Sequence, residues 1–285
     1  MYRVEERMFK EQAYRYFLFG ILAIAVSFFL SDWILWEMAK HANLSGDIRE
    51  ILGEVFRLAI LIAIIFAGHM QSRILASDRE SFAHGLLTGL PILAIAIAQL
   101  VLSFIQADPG YFSHTELVVS TITIYTLTGI FEELLFRGVV LNAFQDAFAK
   151  KRAKTIWVSL ILSALAFGLM HLTNLASGQD GVGTLMQVIE ASAAGLCFGA
   201  VYLRCRNIWV VVILHAMTDL SQSIGTNGQT AVDVQNTNVN AASSILSILP
   251  SLVILLGLTL FLLRRSKMEA IVEEKREDGV EPRQA

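Results

Sequence analysis

Two adjacent carboxylates and a guanidinium, in Glu132-Glu133-Leu-Leu-Phe-Arg137, follow directly on an uncharged apolar run from Leu117 to Phe131. Such groups are expensive to hold in hydrocarbon. They persist where they face a protein interior or a water-filled cavity and do chemistry or transport there. Two later apolar segments each carry one histidine, in Phe167-Gly-Leu-Met-His171 and in His215-Ala-Met-Thr-Asp219. The chemistry open to this set is activation of water. A carboxylate in a poorly solvated site is suited to accept a proton near neutral pH. Histidine can orient the same water, bind a metal, or pass the proton to a leaving amine.

Helical spacing divides the labour. Residues four apart share a face, whereas neighbours diverge by ~100°. Glu133 is therefore expected to pair with Arg137, leaving Glu132 to point elsewhere as the better base. Phe167 and His171 share a face, as do His215 and Asp219. Taken singly, the Glu133–Arg137 pair reads equally well as an interfacial cap, and a lone membrane histidine as a packing residue. The combination in three neighbouring segments favours a shared site. No H-E-x-x-H helix is present, so the zincin arrangement is absent. Ser163 and Cys197 read as small packing residues, and Cys197 and Cys205 as free thiols without metal spacing. A proton- or ion-coupled transporter would use the same carboxylates, but would spread them along a pathway.

The elements that must position these groups follow from composition. Of the 285 residues, 55% are hydrophobic and 16% charged, with a mean hydropathy of +0.58. A soluble domain carries about 25% charge. The sequence thus predicts an all-α, polytopic membrane bundle of about eight transmembrane helices, since only helices satisfy their backbone in lipid without closing a barrel. The expected spans lie near 16–36, 51–68, 82–105, 117–137, 155–173, 185–203, 208–224 and 245–263. Gly85 and Gly89, beside Pro91, should permit close helix packing. Residues 1–15 read as a cytoplasmic tail or interfacial helix, 16–265 as the membrane domain with its core at 117–223, and 266–285 as a charged, disordered tail.

Lys and Arg collect in alternate connections, with the densest group at 150–154, which places both termini in the cytoplasm. The partners expected are the lipid bilayer of a cell membrane, of bacterial type, and a peptide or membrane-protein substrate, with no nucleic acid. Glu132 lies about as far before the basic turn as His171 lies after it, so the two should stand at similar height in a helical hairpin. His215 matches that height only if the hairpin projects about 10 to 15 Å into the cytosol.

At its three motifs the chain resembles the CPBP family. That family comprises the type II CAAX prenyl endopeptidases and bacterial bacteriocin-processing and abortive-infection-like membrane proteins. Its pattern is E-E-x-x-x-R, then F-x-x-x-H, then H-x-x-x-N or D, here Glu132-Glu133…Arg137, Phe167…His171 and His215…Asp219. The resemblance covers roughly Leu117 to Ser223 and implies intramembrane hydrolysis of a peptide bond. By that resemblance Glu132 and His171 activate water, while His215 and Asp219 stand where the family stabilises the oxyanion; Glu133, Arg137 and Phe167 support them. An ionised Asp219 cannot donate a hydrogen bond, so it is expected instead to orient His215 as the donor. Two mechanisms stay open: zinc held by Glu132, Glu133, His171 and His215, or a metal-free one based on Glu132. The competing function is a non-catalytic bacteriocin-immunity or scaffold protein of the same fold.

Overall fold

The computed structural model describes residues 2–39, 45–148, 153–176, 178–226 and 241–277. Every element among them is helical. Helix α1 (Tyr2–Ala25) passes through a π-helical turn (Val26–Leu30) into α2 (Ser31–Ala39), and α3 (Gly46–Ala67) follows. A short α4 (Gln71–Ile74) precedes the long α5 (Arg79–Gln106), and α6 (Pro109–Ser113) leads into α7 (Thr115–Glu133). A second π segment (Leu134–Val140) joins α7 to α8 (Leu141–Phe148). Helix α9 (Ala153–Met170) tightens into a 3-10 turn (His171–Leu175). Then come α10 (Gly181–Cys205), α11 (Ile208–Gly225), α12 (Ala241–Leu262) and α13 (Arg265–Glu277).

Among the described residues six helical runs are long and apolar enough to cross a membrane, and a seventh is reached if Leu246–Leu262 and Arg265–Glu273, bent by 54°, count as one. The expected eighth is the stretch 51–68, which lies within α3. That stretch holds only Glu54 and Arg57 as charged residues, while the first turns of the helix add Asp47, Arg49 and Glu50, which keeps α3 out of this set. The run from Thr115 to Phe148 is 34 residues, about 50 Å at 1.5 Å per residue. It outreaches ~30 Å of hydrocarbon.

Residues from 266 onward, expected to be disordered, are helical as far as Glu277. Met268 and Ile271, three apart, bury themselves against α9 and α10 and hold that helix down. Residues 278–285 lie outside the described part. Helix α1 runs unbroken from Tyr2 towards the first span. The side chains of Val4, Met8 and Phe9 lie outside the described residues, as do Lys150, Lys151 and Arg152 of the basic turn.

The core centres on the π segment, whose seven residues are all buried among α1, α3, α9 and α11. A π turn shifts the backbone ladder and leaves carbonyls in need of donors. Asn142 Nδ2 donates to Gly138 O at 2.7 Å and to Tyr202 Oη at 2.9 Å, and Ser163 Oγ donates to Phe136 O at 2.8 Å. Helix α5 lies against α11 because Gly85 and Gly89 have no side chain. A Cβ there would come within 2.7 Å of Val210 Cγ2 and 2.6 Å of Leu214 Cδ1. Outward-facing Leu87, Val101, Leu102 and Ile105 leave α5 apolar on its far side, as suits contact with lipid.

Candidate active site

Glu132 and Glu133 occupy the last turn of α7, immediately before the π segment. Glu133 is wholly buried, and its Oε1 accepts from Arg137 Nη1 at 2.7 Å. The same oxygen meets His215 Nδ1 of α11 at 2.6 Å. The pairing expected along α7 is therefore joined by one across helices. Gly129, four residues before Glu133, lets α11 approach this closely: a Cβ there would stand 3.1 Å from the backbone nitrogen of Ala216.

The other ring nitrogen, His215 Nε2, faces Glu132 Oε2 at 3.4 Å and Asp219 Oδ2 at 3.3 Å. Ionised carboxylates only accept hydrogen bonds. A ring with carboxylate oxygens at both nitrogens must donate from both, which makes it the imidazolium. Phe198 of α10 stacks on the ring, centroids 5.2 Å apart, and Phe167 meets it edge-on at 5.8 Å. The Arg137 guanidinium lies 4.6 Å over Phe167 and 5.6 Å over Phe198. The two phenylalanines thus wall the buried charges from their surroundings, and both arginine contacts are of cation–π type.

His171 stands where α9 changes to the 3-10 turn. Its Nδ1 lies 3.1 Å from Phe167 O, and a carbonyl can only accept, so Nδ1 carries the hydrogen. In the neutral ring that leaves the Nε2 lone pair to act as acceptor. The ring meets Phe167 edge-on at 5.3 Å, and the charges of Asp219 and His215 act on it. The fold thus gathers Glu132, Glu133, Arg137, Phe167, His215 and Asp219 into one network, with His171 attached through Phe167. Sequence reasoning missed Phe198. It is one apolar residue in an apolar helix; the sole pointer is Gly195, where a Cβ would stand 3.1 Å from Ala164, bringing α10 against α9.

Zinc on Glu132, Glu133, His171 and His215 is testable against this arrangement. Among the described residues no three His, Cys, Asp or Glu side chains stand together as a metal set. Glu133 Oε1 already serves two donors, and both His215 nitrogens face carboxylates. As arranged, these groups form an ion-pair network rather than a coordination shell, and no step below runs through a metal.

Fold and site together define a multi-pass helical membrane protein with a carboxylate–imidazole cluster inside its bundle. Residues 114–221 match the family model of the type II CAAX prenyl endopeptidase Rce1-like proteins. The match supports the CPBP family for this segment, and its bounds fall within a few residues of the stretch that carries the motifs. No curated protein and no solved structure matches the chain. At the level of the family, the function supported is that of a CAAX-protease-like intramembrane endopeptidase.

Proposed function

We propose that this protein hydrolyses a peptide bond, in a peptide or in the membrane-proximal tail of a protein, with Glu132 as general base. A water held between Glu132 and His171 Nε2 gives its proton to Glu132 and attacks the carbonyl carbon. The carbonyl oxygen gathers negative charge and is stabilised by the His215 Nε2–H, turning from Glu132 and Asp219 towards it. As the carbon–nitrogen bond breaks, the proton on Glu132 passes to the leaving amine. Glu133 fixes the ring from Nδ1, and Asp219 keeps it in the donating state. The observation that carries this reading is the placing of Glu132 and Asp219 together at one nitrogen of His215, with Glu133 anchoring the other.

The setting is a cell membrane, with both termini on the cytoplasmic side. That orientation requires α3 to cross the bilayer with its charges turned into the bundle. Wholly buried Leu61 and Ile65 support this, as does the packing of α3 along α7. The test uses purified protein and a library of farnesylated and unmodified peptides, with products read by mass spectrometry. Removing a positioned base costs about 10²- to 10⁴-fold, so Glu132→Gln and Glu132→Ala are expected to lose cleavage by at least the lower factor. Full activity in both variants rejects the mechanism. Absence of cleavage by the wild type favours a non-catalytic membrane scaffold.

A further inference from the structure

We propose that substrate enters this site from the end of the bundle opposite the basic connections. The bond cleaved then lies in an exported peptide or in the outward-facing tail of a membrane protein. The inference rests on the protease reading above and assigns the side from which that site is served.

The bundle is closed on one side of the reactive groups. Towards the end that carries Arg73, Arg79, Lys154, Arg204 and Arg206, every helix presents a sealed apolar face. On α7 and the π segment Glu132 is followed by Phe136, Val139 and Val140, and on α11 His215 is preceded by Val211 and Ile208, all of them buried. Ala164 and Leu160 lie behind Phe167 on α9, equally buried. The hydroxyls of Ser163 and Tyr202 within this plug are bonded to Phe136 O and Asn142 Nδ2. It offers no polar route for water or a peptide.

Towards the other end the same faces turn polar or small. Four and seven residues before Glu132, and so on its face of α7, stand Thr128 and Tyr125, both half-buried. Four and seven before Phe198 on α10 stand Ala194 and Ala191, also half-buried, whose short side chains leave room beyond the stacked ring. Further along that face Gln187 Oε1 accepts from Asn174 Nδ2 at 2.8 Å, which ties α10 to the turn after His171. Polar residues at such depth face a protein interior or a cavity that water enters, not acyl chains. The reactive groups sit at the boundary. The side chains of Glu132 and Asp219 are 16% and 25% exposed, whereas that of Glu133 is 0% exposed.

Depth agrees with this reading. Helix α9 ends at Met170, directly before His171, and α11 ends at Gly225, six residues past Asp219. The 3-10 turn beyond α9 adds about 10 Å at ~2.0 Å per residue, and the last part of α11 about 9 Å at ~1.5 Å per residue. The reactive groups thus lie about 10 Å from the ends of these two helices. Charge says which side that is. Among the described residues Arg49 is the sole Lys or Arg in the connections and first turns at this end. Lys and Arg are retained on the cytoplasmic side of multi-pass proteins, so the open end faces outward.

The experiment reads access by thiol labelling. The wild-type chain, whose Cys197 and Cys205 are buried, is the background. Single cysteines replace Thr128 and Ala191 in the approach, two substitutions small enough to preserve the fold. Glu116→Cys and Lys154→Cys mark the two ends. Right-side-out and inverted membrane vesicles are treated with a permanently charged methanethiosulfonate. A fixed charge crosses hydrocarbon only at high cost, so Thr128→Cys and Ala191→Cys are expected to react about tenfold or more faster in right-side-out vesicles, alongside Glu116→Cys. Reaction of both from the side of Lys154→Cys, from both sides equally or from neither overturns the inference. So does a Glu116→Cys that reacts only in inverted vesicles. The peptide that the wild type cleaves from the library above is then offered to both kinds of vesicle. Cleavage confined to right-side-out vesicles supports the proposal, and cleavage in inverted vesicles, alone or equally, sinks it while the protease reading stands. Cleavage retained in Glu132→Gln, or none by the wild type, sinks the protease reading itself, and labelling needs no turnover, so the two failures are told apart.

Discussion

Glu133 is the residue whose neutralisation tests the site's electrostatics most directly. Its side chain is 0% exposed and that of Arg137 is 1% exposed, so neither ion can recover hydration by a small movement. Oε1 serves both Arg137 and His215, while Glu133 Oε2 and Arg137 Nη2 are buried without hydrogen-bond partners among the described residues. Glu133→Gln keeps the shape, removes the charge, and leaves a buried guanidinium uncompensated. Breaking a buried pair in this way costs about 3–5 kcal/mol. The stacking of Arg137 on Phe167, worth about 2 kcal/mol for a desolvated pair, is present in both forms and cancels. Arg137→Met should cost less, because the Glu133 carboxylate keeps the His215 imidazolium at 2.6 Å as its partner. The double variant removes both ions and is expected to lie within about 1–2 kcal/mol of the wild type, since replacing a buried pair by neutral groups is often close to neutral. Equilibrium unfolding in mixed detergent, followed by tryptophan fluorescence, gives all four stabilities as a double-mutant cycle. Proteolysis should behave differently, because the double variant still lacks the anchor on His215 Nδ1 and stays impaired when stability has returned. Single variants within about 1 kcal/mol of the wild type, or a double variant as unstable as the sum of its parts, would refute the claim that this is a desolvated, mutually compensating pair.

Two further expectations follow from the packing. In Gly129→Val the new side chain meets Ala216 N and Cα, where a Cβ already stands at 3.1 and 3.2 Å. Backbone cannot give way as a flexible side chain does, so α11 should move off α7 by a fraction of an ångström to an ångström. A misplacement of about 1 Å costs on the order of 10²-fold in rate, so kcat/KM should fall by that order in protein that still purifies folded; wild-type kinetics contradict the geometry. Asn142→Leu removes the donor to Gly138 O and Tyr202 Oη. Stranded polar groups cost about 1–3 kcal/mol, and hydrogen exchange should quicken first in the π segment; an exchange pattern identical to wild type argues against its support by Asn142.

How far the sequence reveals this arrangement depends on which physical signal each element carries. The long apolar helices are legible because hydrocarbon thickness and backbone satisfaction leave few alternatives, and the stretches 82–105 and 208–224 fall inside α5 and α11. The small residues of α5 are legible for a related reason: helices packed closely need them, and Gly85 and Gly89 meet Val210 and Leu214. The trailing helix is not, because a charged composition outweighs two apolar residues unless the surface that receives Met268 and Ile271 is known. The π segment has no signature at all. Its extra residue per turn is held by Asn142 and Ser163, which look like ordinary polar residues until Gly138 O and Phe136 O are seen to need donors.

The site divides along the same line. Pairs within one helix, such as Glu133 with Arg137 and His215 with Asp219, follow from the four-residue spacing alone. Contacts between helices do not, since spacing fixes a face but not the neighbour it meets. This is why spacing can pair Glu54 with Arg57 along α3 but cannot place that pair against Phe28. It is also why Glu133 could be matched to Arg137 but not to His215. Glu132, the proposed base, owes its surroundings to two such crossings, from α10 and α11. Each places charge or an aromatic face within about 6 Å of its neighbours, the range over which a low-dielectric interior makes such contacts count. A chain could keep all three motifs and lose the proposed chemistry by shifting α11 along α7, because the motifs specify the reacting groups and leave the approach of the helices to packing such as that at Gly129.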